Sequence, residues 1–382
     1  MQYRKFGKLD WQVSALGFGC MRLPTTDGNP MSGNIHEDEA TRMIRDAIDH
    51  GVNYVDTAYP YHGGNSELVL GKALRDGYRE KVKLATKSPV WLIRQAADFD
   101  RYLAEQLTKL RTDRIDFYLF HALGRERWQQ TVLRYDLLER AEKAIRDGRI
   151  GHLGFSFHDR YDSFPEIVAG YDQWTFCQLQ YNYMDTANQA GTKGLQYAAA
   201  KGLAVIVMEP LLGGKLANPP QAVREIFDRS GIKRSPAEWA LQWVWNQPEV
   251  SLLLSGMSSM GQVTENLDSA GRSSSGSFGA EELQLIEEVR RKYQERTTIP
   301  CTGCSYCLPC PNGVNIPRIF SMYNDGFKHE DLQAARSAYG RFLPENERAG
   351  ACIQCKGCEE KCPQKIPISE WLTKARAVLE AG

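Results

Sequence analysis

The chain has 382 residues, 42% hydrophobic and 25% charged, with 47 Lys+Arg matched by 47 Asp+Glu. This is the composition of a globular protein, and balanced charge argues against nucleic acid or an anionic membrane as partner. The opening MQYRKFGKLD lacks the apolar run of a secretory signal, and the longest apolar stretches (Leu203 to Met208, Leu252 to Leu254) are strand-sized, so a cytoplasmic protein without membrane insertion is expected.

In chain order, Tyr3–Val13, with Gly7-Lys8-Leu9-Asp10 in its middle, reads as a hairpin. Eight β-rich runs follow: Ala15–Leu23, Asn53–Ala58, Val82–Lys87, Ile115–His121, His152–Phe157, Thr175–Asn182, Leu203–Glu209 and Val250–Gly256. Helical periodicity fills the gaps at Glu39–His50, Glu67–Arg75, Phe99–Leu110, Leu133–Asp147, Asn188–Ala200, Pro236–Asn246 and Met260–Asp268. Gly51 closes the first of these helices, and Ser235-Pro236 reads as an N-cap followed by proline at the first helical position. Strands alternating with helices over this length predict a (β/α)8 barrel, class α/β, across residues 1–280. The rival doubly wound sheet wants a glycine-rich turn after strand one, and Gly17-Phe18-Gly19 lacks the third glycine. Gly271–Gly279 reads as a flexible connection, 281–296 as a connecting helix, and 297–382 as a small helical domain.

Reactive groups of such barrels stand at the C-terminal ends of strands. There the second run ends in Asp56 with Tyr61 in its loop, the third in Lys87 and the fourth in His121. Three consecutive apolar strands each ending in an ionisable group point to a site, since such charges need partners.

The runs Asn53-Tyr54-Val55-Asp56-Thr57-Ala58-Tyr59-Pro60-Tyr61, Leu84-Ala85-Thr86-Lys87 and Ile115-Asp116-Phe117-Tyr118-Leu119-Phe120-His121 resemble the Asp, Tyr, Lys and His motifs of the aldo-keto reductases, and Asn65-Ser66-Glu67 with Leu70-Gly71 fits the same pattern. The resemblance implies carbonyl reduction by hydride from NAD(P)H, or the reverse, on a small carbonyl or alcohol substrate. Tyr61 would be the acid, Lys87 would lower its pKa, Asp56 would hold Lys87 charged, and His121 would orient the carbonyl oxygen. For the dinucleotide the resemblance implies Gly19, Cys20 and Met21 at the ribose and Ser156 and Gln178 at the carboxamide. Met208 replaces a ring-stacking Tyr, and Pro210, Leu211, Gly213 and Lys215 belong to the pyrophosphate loop. Gly256, Gln262, Glu265 and Asn266 fall at the adenosine end, where Gly256 and Gln262 stand in place of the basic residues that clamp a 2′-phosphate, which leaves NAD open.

Eight of ten cysteines lie in the tail; Cys20 and Cys177, in apolar strand-like sequence, read as small buried hydrophobes. The runs are Cys301-x2-Cys304-x2-Cys307-x2-Cys310-Pro311 and Cys352-x2-Cys355-x2-Cys358-x3-Cys362-Pro363. This spacing suits two [4Fe–4S] clusters in which the cysteine before proline crosses to the other cluster, giving Cys301, Cys304, Cys307 and Cys362 on one and Cys352, Cys355, Cys358 and Cys310 on the other. The first run is one residue short before Cys310. All-cysteine zinc is the alternative, and the triple spacing followed by Cys-Pro argues against it. With helical Arg318–Asp325 and His329–Tyr339 between the runs, the tail resembles helical dicluster ferredoxin domains, and the whole chain resembles aldo-keto reductases that carry a C-terminal 4Fe–4S domain. Three readings follow. They are a reductase whose clusters exchange electrons with a carrier such as ferredoxin, a reductase whose clusters are structural or sensory, and a nicotinamide-binding sensor without catalysis.

Overall fold

The computed structural model describes residues 1–381; Gly382, the end of the expected tail domain, lies outside the described residues. Two compact units are present: Met1–Ala217 with Arg234–Phe278, and Asn218–Lys233 with the residues from Gly279 on.

In the first unit, β1 (Tyr3–Lys5) and β2 (Gln12–Ser14) form the expected antiparallel hairpin, Tyr3 opposite Ser14. Among the described residues eight parallel strands then close a barrel: β3 (Leu16–Gly19), β4 (Tyr54–Asp56), β5 (Lys83–Ser88), β6 (Ile115–Leu123), β7 (Ile150–Phe157), β8 (Phe176–Gln180), β9 (Ala204–Met208) and β10 (Val250–Gly256). Closure pairs β10 with β3, Leu253 opposite Leu16. These strands are buried on both faces, which is why they read as nearly unbroken apolar runs rather than alternating ones. Phe6 of the hairpin packs against Phe117 (ring centres 4.7 Å apart) and Tyr54, joining a cluster drawn from the early residues of the strands. The hairpin therefore plugs the N-terminal end and leaves the other end for chemistry.

The helices up to Gly271 are α1 (Glu37–Asp49), α2 (Ser66–Ala73), α3 (Ala97–Leu110), the short turn α4 (Arg125–Arg127), α5 (Leu137–Arg146), α6 (Phe164–Ala169), α7 (Gly191–Ala200), α8 (Gln221–Arg229), α9 (Pro236–Trp245) and α10 (Met260–Gly271), and all but α8 belong to the first unit. α1 shows why the pattern was readable. His36 caps it by accepting from the Glu39 amide, three acids fill its first turn, and Ala40, Met43, Ile44, Ala47 and Ile48 face inward. In α9, Ser235 caps and Pro236 opens the helix.

Two helical expectations shift here, and one helix was not expected. The helix expected over Leu133–Asp147 is preceded by a π-helical turn, Trp128–Leu133, and restarts only after left-handed Asp136 (φ 53°). The one expected from Asn188 begins at Gly191, because Gln189 and Gly191 are left-handed (φ 52° and 54°) and break the helix. The short α6, with Pro165 in its first turn, spans too few residues to show a period. Gly271–Gly279, expected as a loose connection, is tied at its end: Phe278 is buried against Trp239 and its amide donates to Asn246 Oδ1 at 2.8 Å.

The second unit holds α8, α11 (Ala280–Glu295), α12 (Ile316–Lys328), α13 (Leu332–Phe342), α14 (Gly357–Glu360) and α15 (Ile368–Leu379). α8 packs on α11, with Arg229 bonded to Glu288 at 2.7 Å. α12 extends beyond the expected Arg318–Asp325 in both directions, with Pro317 in its first turn where a missing N–H is harmless. α13 starts after Asp331, which caps it by accepting from the Ala334 amide. Ile299, Ile319, Phe320, Tyr339, Leu372 and Leu379 are among the residues of its core. No helix among the described residues is long and apolar enough to cross a membrane.

Candidate active site and metal centres

The barrel strands bring Asp56, Tyr61, Lys87 and His121 together. Lys87 is 1% exposed and Asp56 3%, so the two charges are in protein, not water. The Lys87 ammonium donates to Asp56 Oδ1 at 2.5 Å, to the Thr57 carbonyl oxygen at 2.7 Å and to Tyr61 Oη at 3.3 Å. Three acceptors for three N–H bonds satisfy the ion, the condition under which such a charge is tolerated inside. Burial works against this ammonium, yet Asp56 and Tyr61 outweigh it and hold the Lys87 pKa above its ordinary value. Asp56 is itself pushed up by burial, an effect Lys87 and Gln178 partly offset.

Lys87 was expected to lower the Tyr61 pKa. It does pull downward, but burial is the larger effect and the phenol ends above its ordinary value. His121 meets the Tyr61 ring edge-on at 6.0 Å and Trp91 at 5.1 Å. Burial first, then the charges of Lys87, His158 and Arg127, drive its pKa well below the ordinary value, so the imidazole is neutral.

A second layer supports these groups. Gln106 Nε2 donates to the Lys87 carbonyl oxygen (3.1 Å) and to Glu67 Oε1 (2.6 Å), and its own oxygen accepts from Tyr118 (2.7 Å). Thr86 also donates to Glu67 Oε1, at 2.7 Å. At the top of β6 the register slips, and Ala122, left-handed at φ 55°, sits in the irregularity directly after His121. Its amide donates to Ser156 Oγ at 2.7 Å and its carbonyl accepts from Arg127 Nη1 at 2.6 Å. Sequence reasoning missed Trp91, Gln106 and Arg127. Gln106 carried a signal, a polar residue on the inward face of α3, whereas Arg127 had none before the bulge was known.

Of the expected dinucleotide residues, Gly19 and Cys20 lie where β3 meets β4, the Cys20 amide bonding the Asp56 carbonyl at 2.8 Å. Ser156 is engaged with Ala122, and Gln178 Nε2 reaches Asp56 Oδ2 at 3.3 Å. After Met208 the chain turns through left-handed Glu209, Leu212, Gly213 and Gly214, past Pro210 and Leu211 to Lys215. A Cβ on Gly213 or on Gly256 would meet the Arg22 side chain at 3.3 Å, and Arg22 pairs with Glu209 at 3.7 Å. The loops after β3, β9 and β10 thus converge closely here. Gln262 Oε1 accepts from the Ser258 amide (2.8 Å), Ser235 donates to Glu265, and buried Asn266 bonds Ser255 Oγ (2.9 Å). Met21, next to Arg22, follows β3.

In the tail, Cys301, Cys304, Cys307 and Cys362 line one cavity with Ile316 and Phe320. Cys310, Cys352, Cys355 and Cys358 line another, which Cys307 also borders. Burial first, and then Cys304 and Cys362, hold the Cys301 thiol above its ordinary range, while Cys358 is pushed up to about 11 by burial and by its neighbours Glu359, Cys352 and Cys355. The two runs share one backbone form. Gly303 and Ser305 are left-handed in the first, and Gln354 and Lys356 occupy the same two positions in the second. Three residues after the last cysteine of each run, Gly313 and Lys365 are left-handed as well. Their amides bond the Cys310 and Cys362 carbonyls at 2.9 and 3.1 Å. The turn after Cys310 therefore matches the one after Cys362 despite the shorter spacing before it.

Comparison with known proteins agrees with both halves. The profile of the Aldo/keto reductase family matches residues 15–290, and that of the 4Fe-4S dicluster domain matches residues 300–366. L-galactose dehydrogenase of Arabidopsis thaliana is 28% identical over 313 residues, 76% of this chain and 94% of that protein. The oxidoreductase YqkF of Bacillus subtilis is 25% identical over 304 residues, 71% and 91% respectively. The holo form of aldo-keto reductase AKR11C1 from Bacillus halodurans superposes with a TM-score of 0.62 at 26% identity, covering 76% of this chain and 96% of that one. The chain belongs to the aldo/keto reductase family, as an oxidoreductase barrel followed by a C-terminal 4Fe–4S dicluster domain.

Proposed function

We propose that the protein transfers hydride between a nicotinamide dinucleotide and an aldehyde or ketone, in either direction, and that its tail holds two [4Fe–4S] clusters. The observation that carries the reading is the buried Lys87 ammonium shared by Asp56, the Thr57 carbonyl and the Tyr61 hydroxyl. When bound, the nicotinamide supplies hydride and the clusters supply one-electron capacity.

The remaining work belongs to the chain. Tyr61, with its pKa held up by burial, stays protonated until a carbonyl oxygen gains charge, and it then gives up the proton. Lys87 at 3.3 Å stabilises the phenolate left behind, and Asp56 keeps Lys87 charged and aimed. Neutral His121 offers an N–H to the same oxygen. Gly19, Cys20 and Met21 would line the ribose, Ser156 and Gln178 the carboxamide, and Met208 the ring. The converging glycine-rich loop of Pro210, Leu211, Gly213 and Lys215 suits a pyrophosphate. Gly256, Gln262, Glu265 and Asn266 would meet the adenosine end. Gly256 and Gln262 bring no positive charge, and Arg22 beside them is paired with Glu209, which favours NAD over NADP.

Four thiols are the donor set of a cubane, with Cys301, Cys304, Cys307 and Cys362 at the first tail cavity for one and, at the second, Cys310, Cys352, Cys355 and Cys358 besides the shared Cys307 for the other. A one-electron carrier of the cytoplasm is then the natural partner.

The test is Tyr61→Phe, assayed anaerobically on aldehydes with NADH and NADPH. Loss of a proton donor lowers kcat by about 10²- to 10⁴-fold, with dinucleotide binding retained; unchanged turnover removes the reading. Iron analysis and visible absorption of the purified protein test the clusters. Turnover indifferent to a reduced viologen would remove their part in electron exchange.

A further inference from the structure

Arg127 ends the turn α4 that follows the His121 strand, half-buried. Its guanidinium uses Nη1 on the Ala122 carbonyl (2.6 Å) and stands 5.7 Å from the centre of the Trp91 ring, which itself packs edge-on against His121. Among the described residues no carboxylate pairs with Arg127, whereas Arg125, two positions earlier, pairs with Glu166 at 3.0 Å. A guanidinium carries five N–H donors in a rigid fork, and here a single donor has a protein acceptor.

The carboxylates of this rim are engaged elsewhere: Asp159 accepts from the Arg125 amide (2.9 Å) and the Ser163 hydroxyl (2.8 Å), and Glu209 pairs with Arg22. Asp56 is already neutralised by Lys87 at 2.5 Å. His121, 9% exposed, has an Nδ1 with no partner among the described residues. His158 directly follows β7, and its pKa is lowered to about 4 by burial and then by the charges of Arg127 and Lys87. Fixed positive charge beside a reacting centre, without a counter-ion from the chain, draws an anion into the gap.

We propose that Arg127 anchors a carboxylate on the substrate, so that the carbonyl compounds this enzyme takes are aldehyde or keto acids with the acid group remote from the reacting carbon. The planar fork matches a carboxylate edge to edge, and one unpaired positive charge matches one negative charge, where a phosphate dianion would be left half-neutralised. This deepens the reductase reading and rests on it.

The experiment compares benzaldehyde with 4-carboxybenzaldehyde on the nucleotide-saturated full-length enzyme, wild type against Arg127→Gln and Arg127→Lys. A charge-assisted hydrogen bond predicts that wild type prefers the acid by about 10- to 100-fold in kcat/KM, chiefly through KM. Arg127→Gln, which can still donate to Ala122, collapses that ratio toward one, and Arg127→Lys restores part of it. A wild-type ratio near one, or a ratio unmoved by Arg127→Gln, overturns the proposal. So does an equal fall in kcat on both aldehydes, which marks Arg127 as a positioning residue for the Ala122 bulge. Stronger preference for glyceraldehyde 3-phosphate over glyceraldehyde than for the carboxylate pair overturns the choice of carboxylate. Failure of the reductase reading looks different: neither aldehyde is reduced. Equilibrium binding of 4-carboxybenzaldehyde, followed by tryptophan fluorescence, then still decides, since wild type must bind it more tightly than Arg127→Gln.

Discussion

The barrel and the tail build their sites by opposite means. In the barrel the reactive groups are one another's partners: Lys87 is satisfied by Asp56, Thr57 and Tyr61, and Gln106 ties the backbone of Lys87 to Glu67. The site is complete as folded protein, resting on aromatic and aliphatic packing below it. In the tail the eight cysteines sit at the edge of a smaller core and belong to two segments, 301–310 and 352–362, whose shared feature is the set of cavities they line. One region folds to make its site. The other contains a site that, once filled, would hold its fold together, as structural metal centres do.

The sharpest way to break this contrast is to remove iron. Oxidative chelation is expected to raise amide exchange in α12 and α15 by well over about 100-fold, given that metal binding in such small domains is folding energy. The barrel strands should exchange as before, and equal protection of the tail with and without iron would erase the distinction. The next effect falls on the barrel. Lys87→Met leaves Asp56 buried without its counter-ion, which costs about 3–5 kcal/mol, read as a lowered unfolding midpoint together with lost turnover. A variant that keeps wild-type stability would show that the pair is not buried as described.

The smallest effect is a pH dependence confined to the barrel. His62, next to Tyr61, is buried; its Nε2 accepts from the Leu23 amide (3.1 Å), and its Nδ1 lies 2.7 Å from the Ser32 carbonyl oxygen. Burial lowers its pKa below 6.5. Between that lowered value and 6.5 the unfolded chain binds the proton more readily than the folded one, so this contribution is present above 6.5 and lost as pH falls. Asp56 and Glu67, raised by burial, act in the opposite sense. The measurement is therefore the difference: the midpoint of His62→Gln should fall less than that of wild type between neutral and mildly acidic pH. Parallel slopes would show that His62 takes no part.

Much of this was readable beforehand, for reasons that particular residues show. A parallel strand buried on both faces is an apolar run, so a charged residue at its end, such as Asp56 or Lys87, stands out against it. Cysteines spaced by three around a loop are equally conspicuous, because local geometry alone lets them share a centre. What escaped notice depends on contacts distant in sequence. Gln178 reaches Asp56 from another strand, 122 positions away. Ser156 takes the Ala122 amide across the slip in β6, from a residue 34 positions earlier. The π-helical turn at Trp128–Leu133 lies ahead of the helix expected from Leu133, in a stretch too short to show a period.

Sequence by itself determined the (β/α)8 class and the two cysteine runs, and it put Asp56, Lys87 and His121 at strand ends with Tyr61 in a loop, because each is written in local periodicity or spacing. Tertiary structure alone decided which way the Tyr61 pKa moves, since desolvation by the assembled barrel outweighs the pull of one ammonium. It also decided that Arg127 stands beside His121 without a counter-ion, a matter of which charges the fold brings near and which it leaves elsewhere.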